Sequence, residues 1–293
     1  MSVTVVVATR DRRRELLASV PRHLALPERP HVIVVDNASA EGTPAALAAA
    51  HPEVEVIARE RNLGGAARNA GVRAARTPYV AFSDDDSWWA PGALERAVEA
   101  LEAHPRLALV QARILVGDDD RLDPTCAAMA RSPLRPAPGQ PGHPLLSFVA
   151  CGVVVRRDAF LQVGGFPPRL SVGGEEELLG WDLAGAGWQL SYLPDVVSHH
   201  HPAAGARGGR DELTVRNGLW SVWLRRPAGV AARRTATALA RAARDRATAR
   251  GVGRALAGLP WVLRARSVSP PHVEAMRRLL EETPLNPISG GAS

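Results

Sequence analysis

Asp84, Asp85 and Asp86 stand side by side in the sequence, and three adjacent carboxylates repel one another unless a cation neutralises them or one keeps its proton. Asp84 and Asp86, as alternate residues, suit a divalent ion that also grips a diphosphate, because Mg²⁺ and Mn²⁺ take oxygen ligands and need few from the protein. The competing reading is a solvated acidic turn ahead of a helix near Pro91. The apolar strand before the triplet and Trp88–Trp89 after it favour the ion. Glu175, Glu176 and Glu177 open a helical stretch, where the macrodipole favours acidic side chains. One of them is alternatively a general base for an attacking hydroxyl. His199, His200 and His201 offer a further metal ligand or a phosphate contact. Asp36 ends an apolar run, where it serves as an ordinary turn residue or accepts hydrogen bonds from a nucleobase or ribose. In Asn62–Gly71 the glycines permit close backbone approach and Arg68 can meet a phosphate.

These groups need a scaffold, and the first third of the chain alternates strand and helix signals. Strands are predicted at Val3–Ala8, Val32–Val35, Val54–Ala58 and Tyr79–Ser83, with helices at Arg13–Leu24, Gly42–Ala50, Leu63–Ala75 and from Pro91 to about His104. Such alternation implies an α/β fold with a mostly parallel sheet covered on both faces, and ligands bind beyond the carboxyl ends of its strands. Asp36 and the Asp84–Asp86 triplet both fall there. Further strands are expected at Leu107–Val116, Phe148–Arg156 and Trp188–Leu193, a helix at Glu175–Gly185, and a loop over Asp118–Gly142. The histidines are expected after a turn at Pro194–Asp195.

The motifs, in this order, resemble the family 2 glycosyltransferases with the GT-A fold. Ala8-Thr9-Arg10-Asp11-Arg12 is similar to the opening motif, Val34–Ser39 to the Val-Asp-Asp/Asn-x-Ser turn, and Asn62–Gly71 to the Asn-x-Gly and Ala-Arg-Asn-x-Gly stretch. Ala81–Asp86 with Trp89 and Pro91 is similar to the D-x-D segment. Val163–Phe166 and Gly174–Glu176 resemble the later Gly-Gly-Phe and Glu-Asp motifs. The resemblance implies a Rossmann-like GT-A sheet with flanking helices, and transfer of a sugar from a nucleotide-diphosphate donor to an acceptor hydroxyl with inversion. It implies a nucleotide-binding set of Thr9, Arg12, Asp36, Arg68, Asp84 and Asp85, and a metal set of Asp86, Asp84, His199 and His201 around Mn²⁺ or Mg²⁺. The implied base is Glu176, with Glu175 and Glu177 as possible substitutes. The sequence departs from the pattern at Ala8, Asp11, Ser83 and Glu176, where the family has Pro, Asn, Leu and Asp.

Bulk properties bound the rest. The 293 residues are 46% hydrophobic, and the 36 basic side chains are all arginine, giving a formal charge of +6. Cys126 and Cys151 cannot make a disulfide framework, and a reduced cytoplasmic setting is expected. No signal peptide and no membrane span are predicted. The expected division is a catalytic domain over 1–206, with a nucleotide half to about 105 and an acceptor half over 106–206. An Arg-rich helical extension over 207–288 and a disordered tail over 289–293 follow. The extension reads as a solvated helix face or as a surface for anionic lipid at the inner face of the membrane, which would suit a lipid-linked acceptor. Nucleic acid is not expected as a partner. A rival reading makes the chain a metal-dependent hydrolase or nucleotidyltransferase in which Asp84, Asp86 and His199 converge. Another makes it a non-catalytic module that binds polyanions through its arginines.

Overall fold

The computed structural model describes residues 2–202 and 210–283. Its first half lays down β1 (Val3–Thr9), α1 (Arg13–Leu24), β2 (His31–Asp36), α2 (Thr43–Ala50), β3 (Glu55–Ala58), α3 (Arg68–Ala74), β4 (Tyr79–Asp84), the short β5 (Ser87–Trp89) and α4 (Ala93–Ala103). After these come β6 (Leu107–Val116), β7 (Arg121–Leu122), α5 (Pro124–Met129), β8 (His143–Pro144), β9 (Val153–Arg156), α6 (Arg157–Gln162), α7 (Glu175–Gly185) and β10 (Gln189–His200). The described remainder is helical: α8 (Arg210–Arg225), α9 (Ala228–Ala242), α10 (Arg246–Ala257), α11 (Leu259–Ala265) and α12 (Pro271–Glu282).

The main path of the sheet runs β3-β2-β1-β4-β9-β6-β10-β5. It is parallel from β3 to β4, as helix crossovers require. Beyond that it is mixed, because β9 runs antiparallel to both β4 and β6, and β5 runs antiparallel to β10. The continuous apolar runs are explained by burial on both faces. Val3, Val5 and Val7 of β1 pack on one side with Leu16, Val20 and Leu94, while Val6 packs on the other with Val72, Phe82 and Phe166.

Some expectations change. The strand expected at Phe148–Arg156 begins at Val153, after a 3₁₀ turn over Ala150–Gly152. The helix expected from Leu63 opens as a 3₁₀ turn and becomes α3 only at Arg68. The loop expected over Asp118–Gly142 contains β7 and α5, and Asp123 caps α5 by accepting a 2.7 Å bond from the Thr125 amide. Pro194–Asp195 is no turn. It lies where the register between β10 and β6 shifts, from Leu193 opposite Ala112 to Val197 opposite Arg113, and the strand continues to His200. Such a bulge tolerates a proline that regular pairing would exclude.

The C-terminal helices share the core of one sheet face. Trp220, Trp223, Val252, Val262 and Val273 cluster with Leu178, Leu179 and Trp181 of α7. Several arginines of this region are structural. Arg226, 1% exposed, pairs with Glu274 of α12, and Arg225 pairs with Asp182 of α7. Arg277 lies over the Trp181 ring at 3.4 Å and pairs with Glu177. Others, including Arg233, Arg241, Arg244, Arg246 and Arg264, are exposed. No described helix is long and apolar enough to cross a membrane. The expected boundary at 206 and the tail over 289–293 lie outside the described residues.

Candidate active site

The parallel strands deliver their C-terminal ends to a cavity of about 640 Å³. Thr9 and Arg12 reach it from the end of β1, and Asp84, Asp85 and Asp86 from the end of β4. Glu175 and Glu176 enter from the first turn of α7, and His200 from the end of β10.

The acidic triplet is held by cations from two sides. Arg12 pairs through Nε with Asp85 Oδ1 at 2.9 Å and through Nη2 with Asp86 Oδ2 at 2.7 Å. Arg68 pairs with Asp84. Thr9 donates its hydroxyl to Asp85 Oδ2 at 2.9 Å. Burial pushes the Asp85 carboxyl up to about 7, against the pull of Arg12 and Thr9. Burial acts the same way on Asp86, but the His200 hydrogen bond and Arg12 outweigh it and hold that carboxyl below its ordinary range. The triplet is thus accommodated by the shared Arg12, by Arg68, by bonds from Thr9 and His200, and by the proton that Asp85 holds up to about 7.

The base candidates are placed by a glycine-dependent packing. The Asn62–Gly65 turn lies directly on the segment leading into α7, where the Gly65 amide donates to the Ser171 carbonyl at 2.6 Å. A Cβ on Gly64 would stand 2.2 Å from the Ser171 carbonyl oxygen, and one on Gly65 would stand 2.7 Å from Glu175 Oε1. Asn217 of α8 holds the same segment by donating to the carbonyls of Leu170, Val172 and Gly173. Glu175 is buried, whereas half-buried Glu176 lines both the main cavity and a neighbouring one of about 410 Å³. The smaller cavity is walled by Ser147, Phe148, Gly173, Thr214 and Gly218. Burial, then the adjacent Glu175 charge, push Glu176 up to about 7, while Arg68 opposes them.

The histidines alternate as a strand dictates. His200 points at the acidic triplet, with Nε2 3.4 Å from Asp86 Oδ1, and that hydrogen bond raises its pKa. His199 and His201 face the other way. His199 stacks on Trp88 and His201 packs against it at a tilt, and they pair with Asp120 and Asp118 at 3.0 and 3.2 Å. Both were expected at the metal. The structure turns His200, not these two, toward the acidic triplet and the cavity, and His199 does not converge with Asp84 and Asp86 as the hydrolase reading required. Asp36 also departs from expectation. It is buried at the end of β2 beside Thr9, accepts a bond from the Ser39 amide at 3.1 Å, and does not line the cavity. Its neighbour Asn37 does, and it binds Asn62 at 2.8 Å.

Asn37, Asn62 and Cys151 also line the cavity without having been assigned a site role from the sequence, and His200 is the one of the three candidate histidines that lines it. The two asparagines sit inside the quoted motifs, and their side-chain amides were the available signal. A divalent ion fits the donor set. Asp84, Cys151 and His200 each offer a ligand atom within 4.8 Å of the other two, with Asp86 against His200. Ligands at roughly 2.0–2.3 Å from one ion lie within such a separation.

Known proteins share this architecture. The sequence pattern of glycosyl transferase family 2 matches residues 4–164. The pre-mycofactocin glycosyltransferase of Mycobacterium tuberculosis is 35% identical over 207 residues, covering 68% of this chain and 43% of that protein. The chain therefore spans less than half the length of that relative. The N-acetylglucosaminyl-diphospho-decaprenol L-rhamnosyltransferase of the same organism is 29% identical over 218 residues, covering 63% and 70% of the two chains. Among solved structures, the mannosyltransferase PcManGT from Pyrobaculum calidifontis, in complex with GDP-Man and Mn²⁺, superposes with a TM-score of 0.57 at 21% identity. That alignment covers 96% of this chain and 86% of the other. GalNAc-T7 with UDP, GalNAc and Mn²⁺ gives 0.60 at 16% identity, covering 77% and 48%. At these identities the likeness is one of fold, and the fold is the GT-A type. Since the family pattern covers residues 4–164 of 293 and its motifs meet in one cavity, the chain belongs to glycosyl transferase family 2.

Proposed function

We propose that the chain transfers a sugar from a nucleotide-diphosphate donor to an acceptor hydroxyl, with inversion at the sugar carbon. One observation carries this reading: the acidic triplet, Arg12, Arg68 and Glu176 all line a single cavity of about 640 Å³ at the strand ends. The complexes of fold relatives with GDP-Man and Mn²⁺, and with UDP, GalNAc and Mn²⁺, support it.

The residues divide the work by position. Thr9, Asn37 and Asn62 line the end of the cavity formed by β1, β2 and the glycine turn, and they offer hydrogen bonds to the nucleoside. Asp36 supports that wall from behind through its bond to Ser39. Asp84 and Asp85 bind the ribose side of the donor. Arg12 and Arg68, now paired with the triplet, are the cations available to the diphosphate. Asp86, Asp84 and His200 would hold a divalent ion, Mn²⁺ or Mg²⁺, whose contribution is to offset charge on the departing diphosphate. The smaller cavity receives the acceptor, and Glu176, common to both cavities, takes the proton from its hydroxyl. That oxygen then bonds to the sugar carbon while the bond to the diphosphate breaks. Burial and Glu175 set this base near neutrality, where a general base is most effective. Arg233, Arg241, Arg244, Arg246 and Arg264 form the exposed basic set for an anionic membrane surface on the cytoplasmic side, and the helices 207–288 act as an extension to a catalytic unit over 1–206.

The test is a thermal-shift screen of nucleoside diphosphates with and without Mn²⁺, followed by a transfer assay on the nucleotide sugars that stabilise the chain. Stabilisation that needs both nucleotide and metal is the expected result. No response to any nucleotide would overturn the reading.

A further inference from the structure

We infer that Cys151 is a sulfur ligand for the divalent ion of the donor cavity, forming with Asp84 and His200 a mixed oxygen, nitrogen and sulfur set that favours Co²⁺, Zn²⁺ and Cd²⁺ over Mg²⁺. This rests on the reading of the cavity as a metal-assisted donor site.

The local packing brings the thiol there. Cys151 sits in the 3₁₀ turn over Ala150–Gly152, just before β9. At Gly152 an added Cβ would lie 2.5 Å from Ser198 Oγ and 2.8 Å from Ile114 Cγ1. The turn is therefore pressed onto β6 and onto β10 two residues before His200, a closeness that only glycine allows. The result is that Cys151 is 4% exposed, lines the same cavity as Asp84, Asp86 and His200, and offers its sulfur within 4.8 Å of the ligand atoms of Asp84 and His200.

The second cysteine shows what a structural thiol looks like in this chain. Cys126 is buried under β6, where its sulfur accepts from the Ile114 amide at 3.3 Å and donates to the Ala112 carbonyl at 3.5 Å. Cys151 makes no such bond among the described residues. Its neighbours are instead a carboxylate and an imidazole, the partners of a mixed metal site. Thiolate ligands favour borderline and soft ions, whereas Mg²⁺ prefers oxygen. Binding is an exchange without redox chemistry: the thiol releases its proton to solvent as the sulfur–metal bond forms, so charge and atoms balance.

The full chain is titrated with Co²⁺ and followed by absorption. Expected is a sulfur-to-cobalt charge-transfer band in the near ultraviolet that Cys126→Ser keeps and Cys151→Ser loses, with Co²⁺ affinity falling about ten- to hundredfold in the latter. ¹¹³Cd²⁺ bound to the unaltered chain gives a second readout that needs no variant. A resonance in the sulfur-ligated range is expected, and one in the range of oxygen and nitrogen ligands overturns the inference even where Cys151→Ser fails to fold. Calorimetry with UDP or GDP and Mn²⁺ separates the two levels of the argument. Nucleotide binding without any sulfur band sinks the cysteine assignment and leaves the donor site standing. No nucleotide binding with any ion removes the donor site and this inference with it.

Discussion

The position of Glu176 makes a kinetic prediction that its neighbour can cross-check. Burial and the Glu175 charge push its carboxyl from an ordinary 4.5 up to about 7. A base works only when ionised, so turnover rises with pH through that value and levels off above it. At pH 6 about one molecule in ten carries the ionised form, and each further unit down costs about tenfold in single-turnover rate. Glu176→Gln removes the base and lowers the plateau by roughly 10²–10⁴-fold, and the residual activity loses its acidic limb. Glu175→Gln acts in the opposite sense on the pH axis. It removes a like charge that raises Glu176, so the limb moves to lower pH while the plateau stays within a small factor. The assay is single-turnover transfer over pH 5 to 9 at saturating metal. A Glu176→Gln enzyme within a few-fold of the parent would refute the assignment. So would a Glu175→Gln enzyme that loses the plateau, because Glu175 would then be the base.

The histidines give a sharper structural contrast. His200→Ala should weaken Mn²⁺ binding by about ten- to hundredfold in calorimetry, while His199→Ala, on the Trp88 face, should change it by less than about threefold. Gly64→Ala should destabilise the fold by about 1–3 kcal/mol, because φ is +59° and the new Cβ would meet the Ser171 carbonyl at 2.2 Å. The thermal midpoint reads this, and Gly42→Ala, whose Cβ meets nothing within 4 Å at a φ of +74°, isolates the part due to backbone strain alone. His23 is fully buried on α1 with its pKa lowered by burial to about 4, so the folded state keeps the ring neutral. Its folded value lies below the unfolded 6.5, so this contribution is intact above pH 6.5 and is lost as the pH falls towards 4. The loss is about 3 kcal/mol, and denaturant melts of the parent and His23→Gln should diverge across that window.

The strands and their polar ends were readable because local signals and tertiary demands agree. The Val3–Val7 and Val32–Val35 runs are apolar on both faces, which in an alternating chain leaves a parallel sheet as the consistent solution. The residues that follow such runs must leave the sheet at its carboxyl edge, so the placing of the Asp84–Asp86 triplet needed no long-range information. The α5 cap was readable too, since Asp123 followed by Pro124 is a helix-start signal; the proline-rich surroundings hid it.

What the sequence did not yield is the choice of face. A strand's side chains alternate, so a single extra residue exchanges every inward group for an outward one. In β10 the register shifts between Leu193 and Val197, around Pro194 and Asp195, and nothing in the string of residues says how many positions that shift takes up. The choice among His199, His200 and His201 was therefore undetermined until the pairing with β6 and β5 was known. That pairing sets Trp88 opposite His199 and Ser87 opposite His200. A bulky ring claims the outer face, and the small serine beside the acidic turn leaves the inner face open. Asp36 shows the same limit one strand away. It follows Val32 and Val34 onto the face of β2 that packs against α1 and α4, so it braces the turn at Ser39 while the next residue, Asn37, reaches the cavity. Motif order located the site, and the pleat of each strand decided which member of each motif does the work.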